Sequence, residues 1–288
     1  MNSKFTHSFL GFLAIATLGT SILPTQAQAS TIVLNSGQVS GNPGNPGQTD
    51  SNITYWTKGI PVNPLSPTPF TAADFAKAKG IGCSGSDICG SAEVLAAHPV
   101  GIPSLPSAPN ARWINWKVDS SFFGSPAASV LYAYRFTVPE PTIQNAAIEM
   151  YWAVDDVLGS FPTIPDPNPI GVYINGHALN SSFSGAGRDQ EYSASQSIPS
   201  NWLNPGSNNW LYVYQRDAGG GLSGTIFGAH ISVNVPEPSS IIGLAVLSTL
   251  GAASTLKRQL KSSQSTEKET TKYVPCPLSP VTVLDGFV

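Results

Sequence analysis

Apolar and polar residues alternate most clearly in the second half of the chain. Residues 130–138, 146–154, 209–216 and 225–233 repeat with a period near two, the spacing that sends successive side chains to opposite faces of a β-strand. Shorter pieces of the same kind lie at 31–35, 52–56, 113–116 and 171–176. The last ends in Asn175-Gly176, a pair that supplies the positive φ of a two-residue hairpin. Pro, Gly and Ser turns separate these runs, and prolines at 61, 64, 67 and 69 keep the chain extended up to Phe70. Residues 72–79 predict a single helical fragment, with Thr71 as N-cap and Gly80 as stop, of a length that suits a strap or insertion. Six or more short strands with little helix predict an all-β protein, a sandwich, because a lone sheet would leave one apolar face in water.

The two ends depart from this pattern. Lys4, the apolar stretch 9–23 and Ala27-Gln28-Ala29 form a positive, apolar and small-x-small sequence, which predicts a signal peptide over 1–29 and a mature chain beginning at Ser30. The competing reading is a retained membrane anchor. Near the other end, Val235-Pro236-Glu237-Pro238 precedes an uncharged run, 239–256, and then Lys257, Arg258 and Lys261. As a helix that run is about 27 Å long, enough for the hydrocarbon core, with the basic residues left on the cytoplasmic side. The two prolines forbid helix just before the span and leave an extended, accessible stretch.

The order Pro-Glu-Pro, apolar helix, basic cluster resembles the PEP-CTERM sorting signal. The resemblance covers 235–261. It implies a bacterial exported protein handed to an exosortase-like processing enzyme, a membrane cysteine transpeptidase, and transiently anchored in the inner membrane. Family members normally stop soon after the basic cluster, whereas this chain continues through 262–288, a Ser/Thr/Lys/Glu-rich and then Pro-rich tail that reads as disordered.

Composition sharpens the picture between the ends, where about two hundred residues, 30–234, make one ordinary domain. Charged residues are only 11% while Gly and Pro number 27 and 25, which favours turn-rich β structure at a surface over a cytosolic enzyme. A net charge of -3 and no Lys/Arg cluster interleaved with aromatics argue against nucleic acid as a partner. Cys83 and Cys89 lie in a glycine-rich loop able to bring them within bridging distance, so one local disulfide is expected. A metal site there lacks a matching His or Cys pair, His98 standing alone.

A second resemblance rests on 112–233: a Trp-Ile strand, a Tyr-x-Tyr-x-Phe strand, an alternating strand ending in Asp155-Asp156, then Val-x-Ile-Asn-Gly and Asn-x-Leu-x-Val. The series resembles the galactose-binding-like jelly roll of many carbohydrate-binding modules. It implies a jelly-roll β-sandwich with loops at one edge that bind sugar or a structural calcium ion. Asp155 and Asp156, with Asp166 and Asn168, are candidate calcium oxygens; the competing reading is solvated turn carboxylates, since adjacent strand residues point to opposite faces. Trp113, Trp116, Tyr151, Trp152, Trp202, Trp210, Tyr212 and Tyr214 are aromatics of the kind that stack on sugar rings, although about half of any alternating strand faces inward. Asn175, His177, Arg216 and Asp217 are polar groups for a binding edge, and Trp152, Asp155, Asp156, Asn175, His177 and Arg216 make the candidate ligand set. No catalytic residue emerges. Ser184 and Ser223 lack the strand-turn-helix setting of a nucleophile elbow, and 219–221 lacks the Lys of a phosphate loop. The expectation is therefore a non-enzymatic surface or matrix protein that binds extracellular polysaccharide, without a cofactor beyond structural calcium. A ligand-free structural protein and a glycan-active enzyme are the rivals.

Overall fold

The alternating runs become strands with one face against an opposing sheet and, over part of their length, the other under covering segments. The computed structural model describes residues 29–59, 64–96, 101–117, 128–160, 165–217 and 223–235. Its first layer is antiparallel: β1 (Ala29–Asn35) pairs with β13 (Gly224–Asn234), β13 with β8 (Asn145–Leu158), and β8 with β11 (Gly185–Ile198). The second layer runs β10 (His177–Ala178), β9 (Val172–Ile174), β12 (Asn208–Arg216), β7 (Val130–Thr137), β4 (Thr49–Thr57) and β5 (Ile88–Val94). A small ribbon of β2 (Gln38–Val39) and β3 (Asn42–Pro43) lies off both.

The layers join at one end of the sandwich. There β6 (Ile114–Asn115) takes over from β1 along the edge of β13 and also pairs with β5, while β12 reaches β8 through Gln215 opposite Leu158 and Arg216 opposite Val157. At the other end of the first layer, Ala29 is opposite Asn234 and Asn234 opposite Asn145.

Between the layers, inward residues of every long strand form the main core: Ile53 and Tyr55, Tyr132 and Tyr134, Met150 and Trp152, Leu211 and Val213, Phe227 and Ile231. Burying such side chains contributes roughly 1.5–3 kcal/mol each. Two smaller cores seal the outer faces. Over the second layer lie α1 (Ala72–Ala78) and the strap before it, bringing Leu65, Phe70, Phe75 and Ala78 onto Trp56, Tyr173, Tyr212 and Tyr214. The helix starts as expected, with a capping box between Thr71 and Asp74. Over part of the first layer, the segment 102–113 packs Leu105, Ala108 and Trp113 on Ala153 and Ile226. Gly228 makes this possible, because a Cβ there would run into the methyl group of Ala108.

Two longer strands were not anticipated, nor was the short β2–β3 ribbon. In β5 the alternation is interrupted by Cys89 and Gly90, and in β11 the outward residues are Ser193, Ser195 and Ser197, so the strand carries too little apolar signal. Cys83 and Cys89 are joined by a disulfide, their Cα atoms 6.4 Å apart. Among the described residues no helix is long and apolar enough to cross a membrane. The expected signal peptide up to residue 28, Pro236-Glu237-Pro238, the span 239–256, Lys257, Arg258, Lys261, the tail and His98 all lie outside the described residues.

Candidate functional site

The six candidate ligand residues are not brought together. Trp152 faces the core at 1% exposure, stacked between Phe183 and Tyr192, and offers no surface to a sugar. Asp155, Asp156 and Arg216 sit where the layers join. Asn175 and His177 belong to the hairpin of β9 and β10 at the opposite end of β12, since Ile174 is opposite Leu211 whereas Arg216 is opposite Val157.

At the joining end the polar groups serve the fold. The Arg216 Nε is 3.3 Å from Asp166 Oδ2, both side chains being buried, and the Tyr214 hydroxyl donates to the same oxygen over 3.1 Å. Burial and the Asp166 charge push the Tyr214 phenol far up, so it stays a donor. Asp166 Oδ1 accepts from the Asn168 N–H, and Asn168 in turn accepts from Phe70 N–H and donates to the Thr68 carbonyl, tying the strap to the sheet. Asp155 is paired with Arg188 at 2.9 Å. Gln215 donates to the Asp155 carbonyl and to Ser223 Oγ, both at 2.6 Å, while the Tyr132 hydroxyl lies between Gln215 Oε1 and Asn115 Oδ1. Asp155 Oδ1, both carboxylate oxygens of Asp166 and the amide oxygen of Asn168 thus serve protein partners. Among the described residues no group of three or more His, Cys, Asp or Glu is arranged to hold a metal ion.

At the hairpin end Asn175 has φ 49 and is consumed by structure: its amide donates to the Trp202 carbonyl (2.7 Å) and Asn209 Oδ1 (2.8 Å), and its own oxygen accepts from Trp210 N–H. His177 is exposed but lies flat on Trp202, centroids 4.7 Å apart, capping that indole rather than presenting it.

Open surface appears instead on the sheet faces. Below the segment 102–113 the outer face of the first layer is uncovered. A shallow groove of about 450 Å³ there is lined by Thr31 of β1, His230 and Ser232 of β13, Ala147, Ile148 and Glu149 of β8, and Ser195 of β11. His230 and Glu149 are opposite one another, and Glu149 is opposite Ser195. Tyr151, two residues along β8, meets the His230 ring edge-on at 5.8 Å, and its hydrogen bond to the Glu149 carboxylate raises its phenol. Hydroxyls, a carboxylate, an imidazole and a half-exposed phenol are the donor, acceptor and stacking groups that saccharides require. In the sequence Tyr151 was visible as a candidate sugar-stacking aromatic, Thr31, Glu149, His230 and Ser232 only as one phase of alternating runs with nothing to say which phase was outward, and Ser195 not at all, since β11 was not anticipated. Trp113, Tyr212 and Tyr214 are buried, and Trp116, Trp202 and Trp210 are half-buried.

No protein-family model and no curated protein matches the chain. Among solved structures it is similar to a β-glucuronidase of Ruminococcus gnavus, at 11% identity and TM-score 0.33 over 75% of this chain and 30% of that one. A β-glucuronidase of an uncultured Clostridium sp. matches at 10% identity and TM-score 0.30, over 74% and 30%. A family 35 carbohydrate binding module of Clostridium thermocellum matches at 16% identity and TM-score 0.22, over 41% of this chain and 86% of that one. The chain thus spans about three tenths of the glucuronidases' length. These likenesses are too distant to assign a family or an activity, and what stands is an all-β, sandwich-like fold with an open polar face.

Proposed function

We propose that this is a non-enzymatic, exported surface or extracellular-matrix protein whose jelly-roll sandwich binds extracellular polysaccharide on the open face of the first layer. The observation that carries the binding reading is the groove between Glu149, His230 and Ser195, with Tyr151 beside it. Among the described residues Glu149 is the one carboxylate lining that groove, so they do not supply there the paired carboxyls that glycoside hydrolysis uses. The export part rests on sequence: the leader over 1–29 and the PEP-CTERM-like segment 235–261, which make an exosortase-like enzyme the processing partner and the inner membrane a transient anchor.

Affinity electrophoresis of the purified chain through gels containing the extracellular polysaccharide of a producing bacterium tests the binding part. Retardation that falls with Tyr151→Ala and Glu149→Gln is expected, and unretarded migration overturns it. Replacing Pro236-Glu237-Pro238 by alanines tests sorting: full-length protein retained in the membrane is expected, and unchanged release overturns it. The rival reading, a ligand-free structural matrix protein, draws support from the burial of Trp113, Trp152, Tyr212 and Tyr214.

A further inference from the structure

The outer face of the second layer carries a different surface. Along β12, Trp210, Tyr212 and Tyr214 share the outward phase, and along β7 so do Leu131, Ala133 and Arg135. The strap and α1 cover the rungs of Tyr214 and Tyr212; at the last rung, where Trp210 is opposite Arg135, the indole packs against the edge of the same cluster and stays half-exposed. Arg135 is exposed, and among the described residues no hydrogen bond or ion pair engages it. Lys79, the C-cap of α1, places its ammonium 5.7 Å from the centre of the Trp210 ring. The acids of the helix and the disulfide loop do not neutralise this pair of cations. Asp74 is bonded to Thr71 and Lys77, and Asp87 to Trp56 and Lys77. In a chain of net charge -3, two cations flank a half-exposed indole.

We infer that Trp210, Arg135 and Lys79 form a docking surface for an acidic polysaccharide built of uronic-acid units, separate from the groove at Glu149. The apolar C–H face of a pyranose ring stacks on indole, and a planar guanidinium meets a carboxylate through two parallel hydrogen bonds, which an ammonium cannot reproduce. The outward residues of paired strands recur at regular steps as the units of a polymer do, and Thr137 and Asn208, exposed on the next outward rung and opposite one another, extend the polar track. The Glu149 groove has the opposite charge character, so the two surfaces select different chains.

The test is affinity electrophoresis of the full chain, in detergent, through gels containing polygalacturonate, neutral dextran or dextran sulfate. Retardation by polygalacturonate and not by dextran is expected. Arg135→Gln and Trp210→Ala each weaken it by about threefold to tenfold, and Lys79→Gln weakens it less. Arg135 is exposed, so its variant keeps the fold, and a melting curve checks Trp210→Ala. Unaltered retardation in Arg135→Gln, or equal retardation by dextran sulfate that ignores Trp210→Ala, overturns the proposal as simple ion exchange. The same variants, run in the extracellular-polysaccharide gels that test the first-layer groove, where Tyr151→Ala is the variant that responds, separate failure of that reading from failure of this one.

Discussion

The indole nitrogen of Trp56 donates to the Asp87 carboxylate over 2.8 Å, linking the middle of the second layer to the loop closed by the disulfide. Lys77 completes the link, its ammonium 3.2 Å from Asp87 and 4.6 Å from the Trp56 ring centre. Burial alone would raise Asp87, but the hydrogen bonds from Trp56 and Lys77 and the charges of Lys77 and Lys58 outweigh it and hold the carboxyl below 3.8. A depressed carboxyl stabilises the fold above its unfolded value and loses that contribution as pH falls through its folded value. Asp87→Asn is therefore expected to cost about 1 kcal/mol at neutral pH, with the gap closing in acid. Thermal melts of both proteins across pH check it, and a pH-independent gap would contradict the assignment.

Asp50 has the opposite sign. Its carboxylate accepts from the N–H groups of Gly37, Gln38, Asn52 and Ile53, yet burial outweighs those bonds and the carboxyl is raised above 3.8. Its ionisable contribution is fully present below 3.8 and is lost as pH rises through the folded value. Asp50→Ala leaves four donors facing nothing and is expected to cost about 3–4 kcal/mol. Wild type should lead that variant by more in acid than at neutral pH, and carboxyl NMR should place the Asp50 midpoint above that of a free aspartate.

Cys83 and Cys89 close a loop of six residues' separation. In the chain-entropy picture such a loop contributes about 2 kcal/mol. Reduction, or replacement of both by Ser, should lower the melting temperature by about 4–8 °C and speed amide exchange in α1, whose Lys77 carbonyl faces Cys83.

Asp166 and Arg216 form a buried pair, and Asp166→Ala takes away the carboxylate that faces both Arg216 and Tyr214. A loss of about 3 kcal/mol is expected, read by denaturant unfolding. Calcium added to the wild type should leave its melting temperature unchanged, since Asp155, Asp166 and Asn168 already serve protein groups.

Much of this architecture was legible wherever a strand buries one face and shows the other a different chemistry. The runs that became β7, β8, β12 and β13 announced themselves by alternation, and α1 by Thr71 and Gly80. What alternation cannot give is its phase: Trp152 and Tyr151 are neighbours, and only the packing of Phe183 and Tyr192 turns Trp152 inward. Nor does local sequence reveal a strand such as β11, whose serines face water while Tyr192, Ala194 and Ile198 face the core. Asp155 and Arg216 looked like ligands because polar residues at strand ends usually reach solvent; here the joining of the layers buries them, at 2% and 1% exposure.

The opposition of Ala29 and Asn234 gives the domain a mechanical asymmetry. A pull between those two points acts on adjacent ends of antiparallel strands. It peels β1 from β13 one rung at a time, each hydrogen bond bearing the load alone. A pull between Asn234 and the far end of β8 instead loads many rungs at once in shear. Pulled between the β13 end and the far end of β8, the first layer resists in shear; pulled between Ala29 and Asn234, it opens like a zipper and bares Leu34.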